Sequence, residues 1–203
     1  MTVKYPVHSI NRLRMGTDGD GIRSLILMSG CPLRCKYCIN PSTWDGTEQS
    51  EMLSATEIYS RICIDRPYIL ATNGGLTFGG GEPLLYPDLI NELRAICESE
   101  MTICVESSLH VSWENIEKSI DSIDKYYVDI KTTNSRLYKE YTGGELELSY
   151  NNIQRLLERK PVNSIIARIP LIPGFVDKEL QFETKNQLYK LGIRHFDLFE
   201  YRI

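Results

Sequence analysis

The sequence predicts an α/β fold with parallel strands, a partial open (β/α)6 barrel, on three observations. Six short apolar runs alternate with stretches of helical period along 203 residues, about 34 residues per repeat, which is the size of a strand–helix–strand unit. Glycine, proline or polar clusters bound the runs, as they bound buried strands. A closed eight-unit barrel takes about 250 residues, so six units leave the barrel open. The composition, 42% hydrophobic and 25% charged, is enough to fill one core. No linker, low-complexity tract or internal repeat interrupts the chain, so residues 1–203 are expected to form a single domain.

The elements follow in order. Residues 24–29 (Ser-Leu-Ile-Leu-Met-Ser) read as a buried strand that stops at Gly30. A helix is predicted over 54–64, where Ser54 and Glu57 have the spacing of a capping box. The second strand, 75–78, runs into Gly79-Gly80-Gly81. Pro87 suits a first helical turn, and Leu89, Ile90, Leu93, Ile96 and Cys97 keep helical spacing after it. Strands are predicted at 102–105, 126–130, 164–169 and 195–199, with helices at 112–120, 135–141, 149–160 and 180–190.

Charge excludes some partners. Lys and Arg total 23 against 27 Asp and Glu, a net charge of −4, so no basic surplus exists to neutralise the phosphates of a nucleic acid. The first 20 residues carry no apolar core of a secretory signal. The most apolar stretch, 165–176, is broken by Arg168, Pro170, Pro173 and Gly174 and cannot span a bilayer. A cytoplasmic protein without a membrane partner is expected.

Three of the six cysteines fall within Cys31-Pro-Leu-Arg-Cys35-Lys-Tyr-Cys38, a C-x3-C-x2-C segment directly after the first predicted strand. In parallel α/β folds, ligands collect at this end of the strands. The scattered Cys63, Cys97 and Cys104 read as small buried apolar residues. Three readings of the segment compete. It is a loop of buried thiols, or a zinc site completed by a fourth ligand such as His110, or an iron–sulfur site. Three cysteines packed beside Arg34 and Lys36 disfavour the first reading, and the absence of paired C-x2-C knuckles disfavours the second. A four-iron cluster held by three thiolates keeps one iron open for a reactant, as a catalytic zinc keeps an open position.

The motif, with Tyr37 before its last cysteine, resembles that of the radical S-adenosylmethionine (SAM) superfamily, and in particular the single-cluster glycyl-radical-enzyme activating enzymes of the pyruvate formate-lyase activating type. The resemblance implies that Cys31, Cys35 and Cys38 hold a [4Fe–4S] cluster whose open iron chelates SAM. The reduced cluster would then cleave SAM to methionine and a 5′-deoxyadenosyl radical. Tyr37 is carried over with the motif as a cofactor-binding residue.

Further segments resemble the same subgroup. Gly79-Gly80-Gly81-Glu82-Pro83 reads plainly as a turn, while glycines also let a main chain approach a ligand closely. The resemblance assigns Gly80, Gly81 and Glu82 to the methionine amino group of SAM. Gly16 to Arg23 resembles the lead-in of the subgroup, Asn40 to Asp45 its Asn-x-x-Thr-Trp segment, and Asp129-Ile-Lys131 its Asp-x-Lys. Asp129 and Lys131 are two apart on a predicted strand and share a face, either as a surface ion pair or as part of the SAM pocket. Arg168 is a charge in an apolar run and needs a counter-charge, which a SAM carboxylate would supply. Glu106 ends the third strand, either as a solvated carboxylate or as an acceptor for ribose hydroxyls or a monovalent cation near SAM. The chain departs from the subgroup in having Asp20 where Pro is usual, Ile39 where His is common and Glu106 where Asp is common. Only Cys63 lies between Cys38 and Gly80, so no second cluster is expected.

The function so implied is that of an activase, working anaerobically, that abstracts a glycine hydrogen from a glycyl radical enzyme. A reduced flavodoxin or ferredoxin would supply the electron. Two alternatives stand beside it. One is a radical SAM maturase or epimerase acting on a peptide or small molecule, with Cys97 or Cys104 as hydrogen donor. The other is a non-catalytic metal-binding module.

Overall fold

All six apolar runs form strands in the computed structural model, which describes residues 2–45, 50–97 and 99–201. They are β2 (Ile22–Met28), β4 (Gly75–Gly80), β5 (Thr102–Ser107), β6 (Lys125–Asp129), β7 (Ile165–Leu171) and β8 (His195–Glu200). Two strands outside the prediction join them, β1 (Tyr5–Met15) and β3 (Glu51–Leu53). In β1 only Tyr5 and Val7 are buried, so an alternating apolar signature never develops, and β3 has three residues. The described residues group into two units: Met1–Cys31 with Asn40–Glu106 and Ser112–Asp124, and Pro32–Ile39 with Ser107–Val111 and Lys125–Ile203.

In the first unit the strands follow the order β3, β1, β2, β4, β5. β1 runs antiparallel to both β2 and β3, whereas β2–β4 and β4–β5 are parallel. Ser24 through Met28 are all buried, which explains the uninterrupted apolar run of a parallel strand. Helix α1 (Ala55–Ile62) opens with the predicted capping box: the Glu57 N–H donates to Ser54 Oγ at 3.3 Å, and the Ser54 N–H donates to Glu57 Oε2 at 2.7 Å. A short helix that was not predicted, α2 (Arg66–Ala71), follows it. Helix α3 (Pro87–Cys97) buries Leu89, Ile90, Leu93 and Cys97, and α4 (Trp113–Ser119) packs on it.

The fully buried guanidinium of Arg23 ties the start of this unit together. Its Nε donates to Thr77 Oγ1 at 2.6 Å, and Nη1 donates to Thr102 Oγ1 at 2.9 Å and to the Asp20 carbonyl at 3.2 Å. Nη2 donates to the carbonyls of Leu76 and Thr102. The lead-in segment is thereby pinned beneath β4 and β5 through a side chain that is 1% exposed.

The second unit holds β6, β7 and β8 in that order, all parallel. Helix α5 (Ser135–Thr142) is capped by Asn134, whose Oδ1 accepts the Leu137 N–H at 3.1 Å, and it ends at Gly143 in the left-handed region. Helix α6 (Leu146–Arg159) begins three residues before the predicted start, because Ser149 is a buried interior residue bonded to Tyr138 rather than a cap. Helix α7 (Lys178–Leu191) packs on β7, where Gln181 Nε2 donates to the Ile169 carbonyl at 2.7 Å. Among the described residues no helix is long and apolar enough to cross a membrane.

Candidate cofactor site

The first unit brings the Gly-Gly-Glu turn against the residues that lead into Cys31. The Gly81 N–H donates to the Met28 carbonyl at 2.9 Å and the Glu82 N–H to the Gly30 carbonyl at 2.8 Å. The Cys31 N–H donates to the Trp44 carbonyl at 3.2 Å, so the predicted Asn40 to Asp45 segment supports the same turn. The glycines answer a packing demand of the protein itself. A Cβ on Gly81 would sit 2.2 Å from the Gly30 oxygen, and Gly80 has φ +92°. Glu82 is 1% exposed, and its Oε1 accepts the Leu84 N–H at 3.2 Å, which caps the turn Pro83–Leu85. The Glu106 carboxylate on β5 reaches back over Gly79, with Oε2 3.1 Å from where a Cβ would lie.

Cys35, Tyr37 and Cys38 belong to the second unit, where the last turn of α5 holds their loop. The Arg34 N–H donates to the Thr142 carbonyl at 2.7 Å and the Lys36 N–H to the Tyr141 carbonyl at 2.9 Å, using acceptors that a helix end leaves open. The Cys38 N–H closes a turn on the Cys35 carbonyl at 3.1 Å. Three rings clasp this loop, with centroids 6.2 Å apart for Tyr37 and Tyr141, 6.0 Å for Tyr37 and Phe175, and 5.2 Å for Tyr141 and Phe175. Lys36 lies 4.6 Å from the Phe175 centroid and 3.1 Å from Glu140. Cys35 packs against the buried group of Tyr141, Ile172 and Val176. Burial pushes the Cys35 thiol up to about 11, with Cys38 and Asp129 adding to the shift and Lys131 opposing it.

The strand register lines up charges in the same unit. Asp129 pairs with Arg168 across β6 and β7, and Arg168 pairs with Asp197 across β7 and β8. Arg168 Nε lies 3.8 Å from Asp129 Oδ1 and 3.8 Å from Asp197 Oδ2. Lys131 lies beyond the strand, which ends at Asp129, yet its Nζ is 3.7 Å from Asp129 Oδ1. The pair is no surface pair, since the Lys131 side chain is 12% exposed. Burial works against the Lys131 ammonium, but Asp129, Tyr201, Cys35 and Tyr141 together outweigh it and raise its pKa. Lys131 stands 5.6 Å from the Tyr201 ring and Arg168 5.6 Å from the Phe199 ring.

Sequence reasoning missed Asp197, Phe199 and Tyr201. They alternate along and just past β8 and share one face, a period-two signal that was available once the strand was placed. Of the three scattered cysteines, Cys97 and Cys104 are buried in the core of the first unit, at 3% and 2% exposure, whereas Cys63, against expectation, is only half-buried and its thiol donates to the Ser60 carbonyl at 3.3 Å. His110 faces Ser149 Oγ at 3.3 Å, and burial lowers its pKa against the pull of Glu145.

The donor set fits an iron–sulfur cluster. Three thiols within eight residues are the donors such a cluster takes, one to each of three irons. A desolvated thiol such as Cys35 is costly to ionise without a metal, and the nearby Lys131 ammonium, 12% exposed, would offset the negative charge that a thiolate cluster brings.

A parallel α/β chain with this cysteine loop after its first parallel strand has the make-up of an iron–sulfur protein. Residues 25–182 match the model of the Radical SAM superfamily, and the chain belongs to that superfamily. Its cofactors are accordingly a [4Fe–4S] cluster and SAM. The chain is 34% identical over 137 residues to the pyruvate formate-lyase-activating enzyme of Clostridium pasteurianum, covering 68% of this chain and 57% of that protein. It is 32% identical over 201 residues to the enzyme of the same name from Staphylococcus aureus, covering 94% of this chain and 75% of that one. The chain thus spans just over half of one relative and three quarters of the other. The solved structure of Streptococcus suis SuiB bound to S-adenosylmethionine shares the fold, with TM-score 0.65 at 18% identity over 85% of this chain and 39% of that one.

Proposed function

We propose that this chain is the catalytic core of a radical SAM activase, which removes a Cα hydrogen from a glycine of a partner enzyme. One observation carries the site. Within a single unit the desolvated Cys35 and the largely covered Lys131 act on one another beside the row of Asp129, Arg168 and Asp197. Such a set suits a ligand that is at once a neighbour of the cluster and a zwitterion, as the amino-acid end of SAM is. Relatives named as pyruvate formate-lyase-activating enzymes, at 32% and 34% identity, support the activase reading.

When bound, the cluster would supply one-electron reduction of SAM, the chemistry from which hydrogen-atom abstraction follows. The residues themselves bind and orient. Cys31, Cys35 and Cys38 hold three irons. The main chain at Gly80 and Gly81 and the buried Glu82 carboxylate receive the ammonium of SAM, and Arg168 receives its carboxylate. Asp129 and Lys131 set the charge of the pocket. The ring of Tyr37, 38% exposed, gives the adenosyl part an apolar face, and Glu106 accepts from ribose hydroxyls. A reduced flavodoxin or ferredoxin of the cytoplasm is the electron donor in this reading.

The test is anaerobic. Reconstituted protein, SAM and reductant are mixed with pyruvate formate-lyase, and the tube is scored for 5′-deoxyadenosine and for a glycine-centred paramagnetic doublet. Both are expected, and Cys35→Ala should lose both together with its iron. Deoxyadenosine without the doublet would overturn this choice of partner. Neither product from a protein with an intact cluster would overturn the reading as a whole.

A further inference from the structure

The hydroxyl of Tyr141 is buried without a hydrogen-bond partner, on a residue that is 2% exposed. An unsatisfied buried hydroxyl costs about 1–3 kcal/mol, and phenylalanine would fill the same space beside Ile172, Val176 and Phe175 without that cost. Packing therefore explains the ring and leaves the hydroxyl unexplained.

Its surroundings point toward the cysteine loop. The carbonyl of Tyr141 itself accepts the Lys36 N–H, and Cys35 packs against the cluster to which its ring belongs. The amide N–H of Tyr37 bears on the phenolic oxygen without reaching hydrogen-bond geometry. Tyr201, Lys131 and Cys35 are the ionisable groups that act on it electrostatically. Lys131 is a donor only, so it cannot accept the phenolic proton. A protonated thiol is a weak acceptor, whereas a thiolate accepts well.

We infer that Tyr141 is a positioning residue, which donates a hydrogen bond from its hydroxyl to the Cys35 thiolate once that sulfur binds iron. The inference rests on the reading of Cys35 as a cluster ligand. Its consequence is electronic. Hydrogen bonds to sulfur are among the levers that set a cluster's reduction potential, and a donor at the thiolate favours the reduced state.

The experiment compares reconstituted wild-type protein with Tyr141→Phe by redox titration followed by electron paramagnetic resonance, with iron and sulfide measured on the same samples. Tyr141→Phe should assemble the same iron and sulfide per chain and show a more negative midpoint. At the wild-type midpoint, its ratio of reduced to oxidised cluster should fall roughly fivefold, the worth of one hydrogen bond made stronger in one state. An unchanged midpoint with full iron would overturn the inference and leave the cluster assignment intact. A wild-type protein that assembles no cluster would overturn both. Should Tyr141→Phe fail to fold, 3-fluorotyrosine placed at position 141 keeps the ring and strengthens the donor. The midpoint should then move positive, and a shift in the other direction or none would reject the hydrogen bond.

Discussion

Arg23 and Arg168 are both cations on parallel strands, and the protein holds them in opposite ways. Arg23 is fully buried and saturated by hydroxyls and carbonyls of its own unit. Arg168 keeps a fifth of its side chain exposed, with two carboxylates at 3.8 Å, and in the proposed reading it receives the carboxylate of SAM. A charge locked by neutral acceptors serves the fold, whereas a charge balanced at a distance by other charges is available for a ligand. The sequence reading already set the two apart, the first as part of a motif and the second as a proposed site residue.

Substitutions can break this contrast. Arg23→Met should cost the most stability, roughly 3–5 kcal/mol in urea unfolding, because several buried acceptors lose their donors at once. A loss below about 1 kcal/mol would mean that Arg23 is not the fastener described. Arg168→Gln should do the reverse. It should weaken SAM binding about tenfold to a hundredfold by calorimetry on the reconstituted protein, and unfolding should move by less than about 1 kcal/mol. A stability loss as large as that of Arg23→Met, with SAM binding intact, would erase the distinction.

A smaller effect belongs to the helix start in the first unit, where Ser54→Ala should cost about 1 kcal/mol by removing the acceptor of the capping box. The smallest sharpens the picture of the second unit. In protein without a cluster, burial raises the Cys35 thiol from 9.0 to about 11, so the folded state binds that proton more tightly than the unfolded chain does. The stability this contributes is present below the unfolded value and is lost as pH rises through about 11. Alkylation at Cys35, followed by mass spectrometry, should accordingly be slow at neutral pH and accelerate toward that value. Rapid labelling at neutral pH would show the thiol to be open to water.

Much of the fold was legible because parallel strands buried on both faces must be continuous apolar runs. The run around Leu25 and the run ending in Gly79-Gly80-Gly81 could scarcely be read otherwise. β1 escaped because its outer half is exposed, and α2 because six residues do not establish a helical period. At the site, the cysteine segment announced the family, since three thiols in one short loop have few uses. Lys131 was assigned to a strand that stops two residues earlier, although the Ile130 N–H still reaches the Arg168 carbonyl at 3.1 Å. The alternation of Asp197, Phe199 and Tyr201 could be read once β8 was placed, but that Asp197 faces Arg168 depends on the register of β7 against β8, and the meaning of Tyr141 depends on a helix end meeting a loop. Neither relation is written in local sequence.

The grip of α5 on the cysteine loop has a consequence for how such a protein changes over generations. Arg34 and Lys36 are fastened through their peptide groups, so almost any residue at those two places inherits the fastening intact. Proline alone, which lacks the N–H, would break it. Substitutions at these two places are therefore free to alter the charge and bulk of the loop while the backbone fastening beside the cysteines stays in place.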